Sequence, residues 1–416
     1  MLHPLYWAAL VPAACAGLLA LQRWPRGRRA WLLMCSMAFL AAVQPDLWWL
    51  TILLTGLSWL APLGGRRGAA VYAGLAVLTL VVMKLTGRAW PVGLSFVILQ
   101  GIGYAADAAQ NPSLRGSLPE VALYTLFFPK LSAGPVCRFD SFRAEADRAC
   151  VSWAGLDKGL RRLAFGLGKK LLIADSLYPL ATAAFAEAAH PFALAVSLAA
   201  CPLYVYFDFS GCTDAALGVG QMLGMGLPEN FDRPFCALSV REFWRRWHMS
   251  LSAFFRQRVY IPLGGSRRGR GRTLRNVAAV FLLMGLWHGF TWNYFFFGLW
   301  HAAFVMLEHA RVLRPGEWPR PLAKLYALTV AGVGFGVFMA SSVPVVIGNV
   351  DALQMLLLRF SPMALLSLLL AIVLAAREGK TRLPDWVERL LALMVLLLSW
   401  LQILGGDYMP MLYAQF

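Results

Sequence analysis

Charge is scarce in this chain. Of its 416 residues only 14% are Asp, Glu, Lys or Arg, and 59% are hydrophobic; a soluble domain carries about 25% charged residues. Acids are scarcer still, 21 against 38 Lys and Arg, for a net charge of +17. On a soluble protein that surplus would suggest nucleic acid. Here the positives collect in short loops between apolar runs, as cytoplasmic loops do in membrane proteins, so a nucleic-acid partner is set aside. Segments of about ten residues with alternating polarity are missing, which excludes a β-barrel. The seven cysteines (Cys15, Cys35, Cys137, Cys150, Cys201, Cys212 and Cys236) form no CxxC pair. An odd, scattered set argues against a disulfide framework or a zinc site and suits small core fillers. No HExxH and no carboxylate-rich triad occurs, so a metalloprotease reading has no support and no metal ligands are assigned. Neither an internal repeat nor a soluble domain is visible.

Apolar runs of helical length are what the chain has instead, each near the length needed to cross about 30 Å of hydrocarbon. They fall at residues 5–21, 31–43, 47–63, 71–85, 91–106, 163–186, 192–209, 277–290, 294–308, 325–343, 355–376 and 390–404. The first lacks a basic n-region and a small-residue cleavage site, so it reads as a retained helix rather than a signal peptide. The cluster Arg23, Arg26, Arg28 and Arg29 places the N-terminus outside, and the loop with Arg377, Lys380 and Arg382 places the tail outside as well. The fold class expected is an all-α polytopic membrane protein of about 11–12 transmembrane helices. It forms a single membrane domain, with N-terminal helices over 1–89, a core over 90–310, further helices over 311–404 and a tail over 405–416.

Three stretches depart from plain spans. Residues 121–131 run into Pro129, Gly134 and Pro135, which suggests a re-entrant element buried in protein or lining a cavity. Residues 213–225 read as a separate helix after Asp208-Phe209-Ser210-Gly211. Residues 238–261 mix Arg241, Arg245, Arg246, Arg256 and Arg258 with Phe243, Trp244, Trp247 and Phe254, the pattern of a helix lying in the interface plane.

Polar residues inside apolar sequence carry the chemistry. His288, in Gly285-Leu286-Trp287-His288-Gly289, is costly in hydrocarbon and therefore a functional candidate by default. An imidazole titrating near neutrality can serve as a general base toward a hydroxyl, or it can be satisfied by interhelical hydrogen bonds. His248 is either a second polar member of the site or a snorkelling interfacial residue. His301 follows His288 by thirteen residues across a turn, and spacing alone does not bring the two together. Asp208, closing an aromatic run, needs a partner such as an arginine. The arginines from Arg241 to Arg275 suit a phosphate-bearing donor arriving from the cytosol, or anionic lipid.

These residues carry a resemblance. Leu227-Pro228-Glu229-Asn230-Phe231, Glu242-Phe243-Trp244-Arg245-Arg246-Trp247-His248-Met249-Ser250-Leu251-Ser252, Tyr260-Ile261-Pro262-Leu263-Gly264-Gly265 and Gly285-Leu286-Trp287-His288-Gly289 resemble the membrane-bound O-acyltransferase (MBOAT) superfamily. The bacterial branch of alginate O-acetyltransferase and the teichoic-acid D-alanyl transfer protein is the nearest in pattern. Phe128-Pro129-Lys130-Leu131-Ser132-Ala133-Gly134-Pro135 and Asp208-Phe209-Ser210-Gly211 match that branch too. The resemblance covers roughly residues 90 to 310 and places the family's membrane histidine on His288 and its second motif histidine on His248. It departs at Arg256-Gln257-Arg258, where the family has Arg-Asp-Tyr, and at Cys212, where a tyrosine is common, so Gln257 receives no catalytic duty.

What the resemblance implies is an inner-membrane enzyme with helices around a central tunnel. It would pass an acyl group, most simply acetyl, from a cytosolic thioester to an envelope or secreted polysaccharide. No cofactor is bound; the donor is acetyl coenzyme A or an acyl carrier protein thioester. The tail Met411-Leu412-Tyr413-Ala414-Gln415-Phe416 resembles the branch's aromatic C-terminal motif, making Tyr413 an acyl relay; the plain alternative is an interfacial aromatic anchor. Trp287, Trp244, Arg245, Arg246 and Asp208 would line or support the donor path. The partners implied are the lipid bilayer and an extracytoplasmic acyltransferase of SGNH type or similar. D-alanyl transfer remains open within the class, and a transporter or a non-catalytic scaffold of a polysaccharide export complex outside it.

Overall fold

The computed structural model describes residues 6–43, 47–86, 91–186, 191–340, 362–376, 383–406 and 409. Among the described residues every regular element is helical and no strand occurs, as expected of an all-α membrane protein. Four helical stretches, Trp48–Thr86, Leu194–Met222, Arg320–Met339 and Asp385–Gly405, are long and apolar enough to cross a membrane. Packing divides the chain into two units. One holds Met1–Leu167, Cys212–Glu229 and Asp385–Phe416, the other Gly168–Gly211 and Asn230–Pro384.

The first unit contains α1 (Val11–Ala20), α2 (Pro25–Val43), α3 (Trp48–Leu60), α4 (Gly65–Thr86), α5 (Leu94–Gln110), α6 (Leu118–Leu126), α7 (Phe139–Arg148) and α8 (Trp153–Gly168). α2 begins before the span expected at 31–43 and takes Arg26, Arg28 and Arg29 into its first turns. Two of these charges have partners. Arg28 donates to the Ala149 carbonyl at 2.6 Å, and Arg29 meets Glu120 at 2.7 Å. A capping box of Ser117 and Glu120 starts α6, which stops at Leu126, ahead of Pro129. The chain then turns tightly enough that a Cβ on Gly134 would stand 2.3 Å from Lys130 Cα. This is the broken element expected over 121–131. Inside it Lys130 is fully buried, bonded to the Gln100 amide oxygen, with its ammonium 4.3 Å from the Tyr124 ring and 4.7 Å from that of Phe142.

The second unit opens with a π-helical turn, Lys169–Ala174, followed by α9 (Asp175–Ala186) and α10 (Pro191–Met222), whose residues from Cys212 on belong to the first unit. α10 is one helix of 32 residues, about 48 Å at 1.5 Å per residue, where separate helices at 192–209 and 213–225 were expected. Asp208 does not interrupt it, because Lys170 neutralises the carboxylate at 2.7 Å. The partner is a lysine, not the arginine anticipated.

Next come α11 (Val240–Arg246), α12 (Met249–Phe255), α13 (Arg270–His288), α14 (Trp292–His309), α15 (Arg320–Met339) and α16 (Pro362–Ala376); α17 (Asp385–Gly405) returns to the first unit. The stretch 238–261 is therefore two short helices and a π turn rather than one helix, and Phe243, Trp244, Trp247, His248 and Leu251 are buried. α13 and α14 form a hairpin with backbones in contact. A Cβ on Gly285 would lie 2.3 Å from the Tyr294 carbonyl oxygen, and one on Gly298 would lie 2.6 Å from that of Phe281.

Candidate active site

His288 is the last residue of α13, where Gly289 ends the helix with extended backbone. The ring is buried in an aromatic cage. Centroids lie 4.7 Å away for Trp287, 5.0 Å for Phe338, 6.0 Å for Tyr294 and 6.2 Å for Phe297. Trp287 and His288 thus stand together as the sequence placed them. Tight contact across the glycines fixes the ring in place without a long side chain to swing.

His248 is held differently. It sits between α11 and α12 with φ of 41°, a left-handed conformation uncommon for residues other than glycine. Asn230 explains it. The Asn230 backbone carbonyl accepts from Met249 N–H at 2.9 Å, and its side-chain oxygen accepts from Ser250 N–H at 3.3 Å and faces His248 Nδ1 at 3.2 Å. Since that oxygen already accepts from a backbone N–H, Nδ1 must be the donor, which leaves Nε2 as the basic nitrogen. Burial pushes the imidazole down from 6.5 to about 3, so it is neutral at physiological pH. Asn230 lay inside a quoted motif, yet nothing in spacing marked it as the histidine's anchor.

Asp208 is two-sidedly constrained. Lys170 Nζ lies 2.7 Å from Asp208 and 2.7 Å from Asp175; Lys170 and Asp208 are buried and Asp175 partly so. The next residue, Phe209, packs against the His248 ring at 4.7 Å. An ion cluster at a π turn thereby sets the register of α10 and, through Phe209, the wall behind His248.

The residues expected along a donor path separate within a single short helix. Trp244 points inward, with Phe281 at 5.4 Å, Phe297 at 6.0 Å and His301 at 4.9 Å. Arg245 is exposed, and Arg246 is tied to Glu242 at 2.7 Å and Asp232 at 3.7 Å. The helix is seated by a residue that sequence reasoning missed. The buried Glu308 carboxylate accepts from Val240 N–H at 2.7 Å and Arg241 N–H at 3.1 Å, and from the Tyr326 hydroxyl at 3.1 Å. A carboxylate at a helix N-terminus satisfies orphan donors and complements the helix dipole. Its only signal was an acid in an apolar helix.

Ring contacts connect the two histidine regions. Trp247, beside His248, packs on Phe335 at 4.7 Å; Phe335 reaches Phe338 at 6.4 Å, and Phe338 the His288 ring. His301, set apart by spacing, joins this layer through Phe297, at 4.8 Å. Tyr413 lies outside the described residues. The arrangement offers buried imidazoles in an apolar, aromatic interior, a setting able to take a proton from a hydroxyl while excluding water.

The model of MBOAT, the membrane-bound O-acyltransferase family, matches residues 71–344. The chain is 37% identical over 259 residues to the probable alginate O-acetylase AlgI of Azotobacter vinelandii, covering 61% of this chain and 52% of that protein. It is 33% identical over 255 residues to the peptidoglycan O-acetyltransferase of Helicobacter pylori, covering 53% and 47%. To the teichoic acid D-alanyltransferase of Bacillus subtilis it is 26% identical over 336 residues, covering 71% and 83%. The chain spans about half the length of the first two relatives.

Proposed function

The chain belongs to the membrane-bound O-acyltransferase family, and from that premise we propose that it is an O-acyltransferase of the bacterial inner membrane. It moves an acetyl group from a cytosolic thioester toward an envelope or secreted polysaccharide. The observation that carries this reading is His288 at the end of α13, buried in an aromatic cage. Acetyl is preferred to D-alanyl because relatives named for O-acetyl transfer are 33–37% identical and the Bacillus subtilis one named for D-alanyl transfer is 26% identical.

His288 acts as general base and His248 lies near the donor. The acceptor oxygen loses its proton to the imidazole as it attacks the thioester carbonyl. The C–S bond then breaks and the thiolate leaves, reprotonated from the imidazolium. Tyr413 is the relay acceptor, forming an acyl-tyrosine ester that an extracytoplasmic partner of SGNH type receives. A phenol with pKa near 10 needs an adjacent base to do so at neutral pH. Trp287 and Trp244 line the donor path, Arg245 and Arg246 attract the donor's phosphates, and Asp208 holds the scaffold. The tail and the N-terminus lie on the periplasmic side.

Intact mass of the purified protein after incubation with acetyl coenzyme A tests the reading. One acetyl adduct is expected on the wild type, with none on His288→Ala or Tyr413→Phe. An adduct that persists in Tyr413→Phe removes the relay. Labelling by an acyl carrier protein alone would replace the donor, and silence with both donors would return the transporter and scaffold readings.

A further inference from the structure

The end of α14 gathers cations from three elements of the second unit. The Ala310 carbonyl, just past the helix, accepts from the Arg270 guanidinium at the start of α13. Glu308 accepts from the N–H groups of Val240 and Arg241, which seats the start of α11 at the same turn. His309 stands between these two contacts, and Arg311 follows at once. Partial burial, and then the charges of Arg241 and Arg270, push the His309 imidazole below its usual value. Arg241, Arg270 and Arg311 are exposed. The carboxylates of these segments are committed: Glu308 to the backbone donors and the Tyr326 hydroxyl, Glu242 to Arg246, and Glu317 to Arg314. Three guanidiniums and an imidazole thus share one local carboxylate whose oxygens are taken. Exposed arginine forks in that state suit a phosphate group.

The surface leading to the cluster narrows the occupant. Trp292, Phe296, Leu299 and Leu307 are exposed on α14, and steps of 4, 3 and 8 residues set them along one side of the helix. Ala310 comes 18 residues after Trp292, about five turns on and therefore on the same line. Arg270, bonded there, closes the apolar face at its charged end. From Leu299 to Leu307 the face runs about 12 Å, close to the roughly 15 Å of one leaflet's hydrocarbon. A free phosphate would use the cluster and leave the face idle. A ligand with an anionic head and a hydrocarbon tail uses both. Positive charge in a short loop marks the cytoplasmic side, where basic pockets between transmembrane helices take anionic headgroups.

We propose that Arg241, Arg270, His309 and Arg311 form a headgroup site for an anionic glycerophospholipid of the cytoplasmic leaflet, with an acyl chain lying on the exposed face of α14. The inference stands apart from the acyl-transfer reading and needs only that the chain is a membrane protein. A lipid seated here ties together the starts of α11 and α13 and the end of α14.

The test titrates the full chain in mild detergent with phosphatidylglycerol or phosphatidylcholine and counts bound lipids by native mass spectrometry. Wild type is compared with the pair Arg241→Gln/Arg270→Gln, with Leu307→Asn, and with a control pair, Arg66→Gln/Arg67→Gln, at exposed arginines of α4 in the first unit. Thermal melts confirm that each variant is folded. Wild type is expected to hold phosphatidylglycerol in preference to phosphatidylcholine. The pair Arg241→Gln/Arg270→Gln should weaken it about thirtyfold, the scale of two surface charges, and the control pair should leave it unchanged. Leu307→Asn should weaken both lipids, and millimolar inorganic phosphate should displace neither. If the first pair fails to fold, Arg311→Gln gives the same readout at about fivefold. An equal loss in the control pair would mean diffuse charge and overturn the site. Displacement by phosphate, or indifference to Leu307→Asn, would leave an ion site without a tail and overturn it as well. Unchanged lipid binding in the first pair, with lost binding of an acidic acyl carrier protein, would hand the patch to a protein.

Discussion

Two buried lysines show opposite ways of keeping an ammonium out of water. In the first unit Lys130 is surrounded by neutral groups: the Gln100 amide oxygen and the faces of Tyr124 and Phe142. Among the described residues it has no carboxylate partner. In the second unit Lys170 stands between Asp175 and Asp208, each at 2.7 Å, one cation shared by two acids. Both occur where the backbone leaves regular α-helix, Lys130 in the turn after α6 and Lys170 in a π turn. The lesson concerns what removal leaves behind. Deleting Lys130 removes a charge from a neutral nest, whereas deleting Lys170 takes from two carboxylates the cation they share.

That contrast can be broken by substitution. Lys170→Met should cost about 3–5 kcal/mol of stability, the scale of a buried pair stripped of one partner, seen as a large fall in the denaturant midpoint in detergent. Lys130→Met should cost about 1–2 kcal/mol, for one lost amide bond and a desolvated cation–π contact. If the two losses came out equal, the difference in counter-charge would not be what separates the sites. Asp208→Asn keeps Lys170 in its ion pair with Asp175, and the expected cost is about 1 kcal/mol or less. A larger loss would mean that Lys170 depends on both acids, and the comparison would sharpen accordingly.

The sequence made the all-α membrane class legible because twelve apolar runs and a charge deficit leave few alternatives. His288, Trp287 and His248 were legible too, since each is a polar or aromatic break in a recognisable pattern. Interactions across distance were not. Asp208 advertised a missing cation, but the choice of Lys170 depends on a π turn that brings position 170 beside α10. Asn230 and Glu308 act by accepting from backbone N–H groups of other segments, a role that no periodicity encodes. His301 was set aside on its thirteen-residue spacing, and only the glycine-packed hairpin places it near the same aromatic layer. α10 was split in two because a carboxylate, a serine and a glycine in succession resemble a helix end, and a buried ion pair removed the reason for one.

The glycine contacts between α13 and α14 have a mechanical consequence. Most helix pairs are separated by a layer of side chains, which can repack when the surrounding bilayer thickens, thins or is squeezed. At Gly285 and Gly298 there is no such layer, since even a methyl group would collide with the opposite backbone. The hairpin that carries His288 and His301 is therefore incompressible along the line joining its helices. Changes in lipid tail length or lateral pressure should be absorbed by other helix contacts, and the spacing of these two imidazoles should hold constant from one membrane to the next.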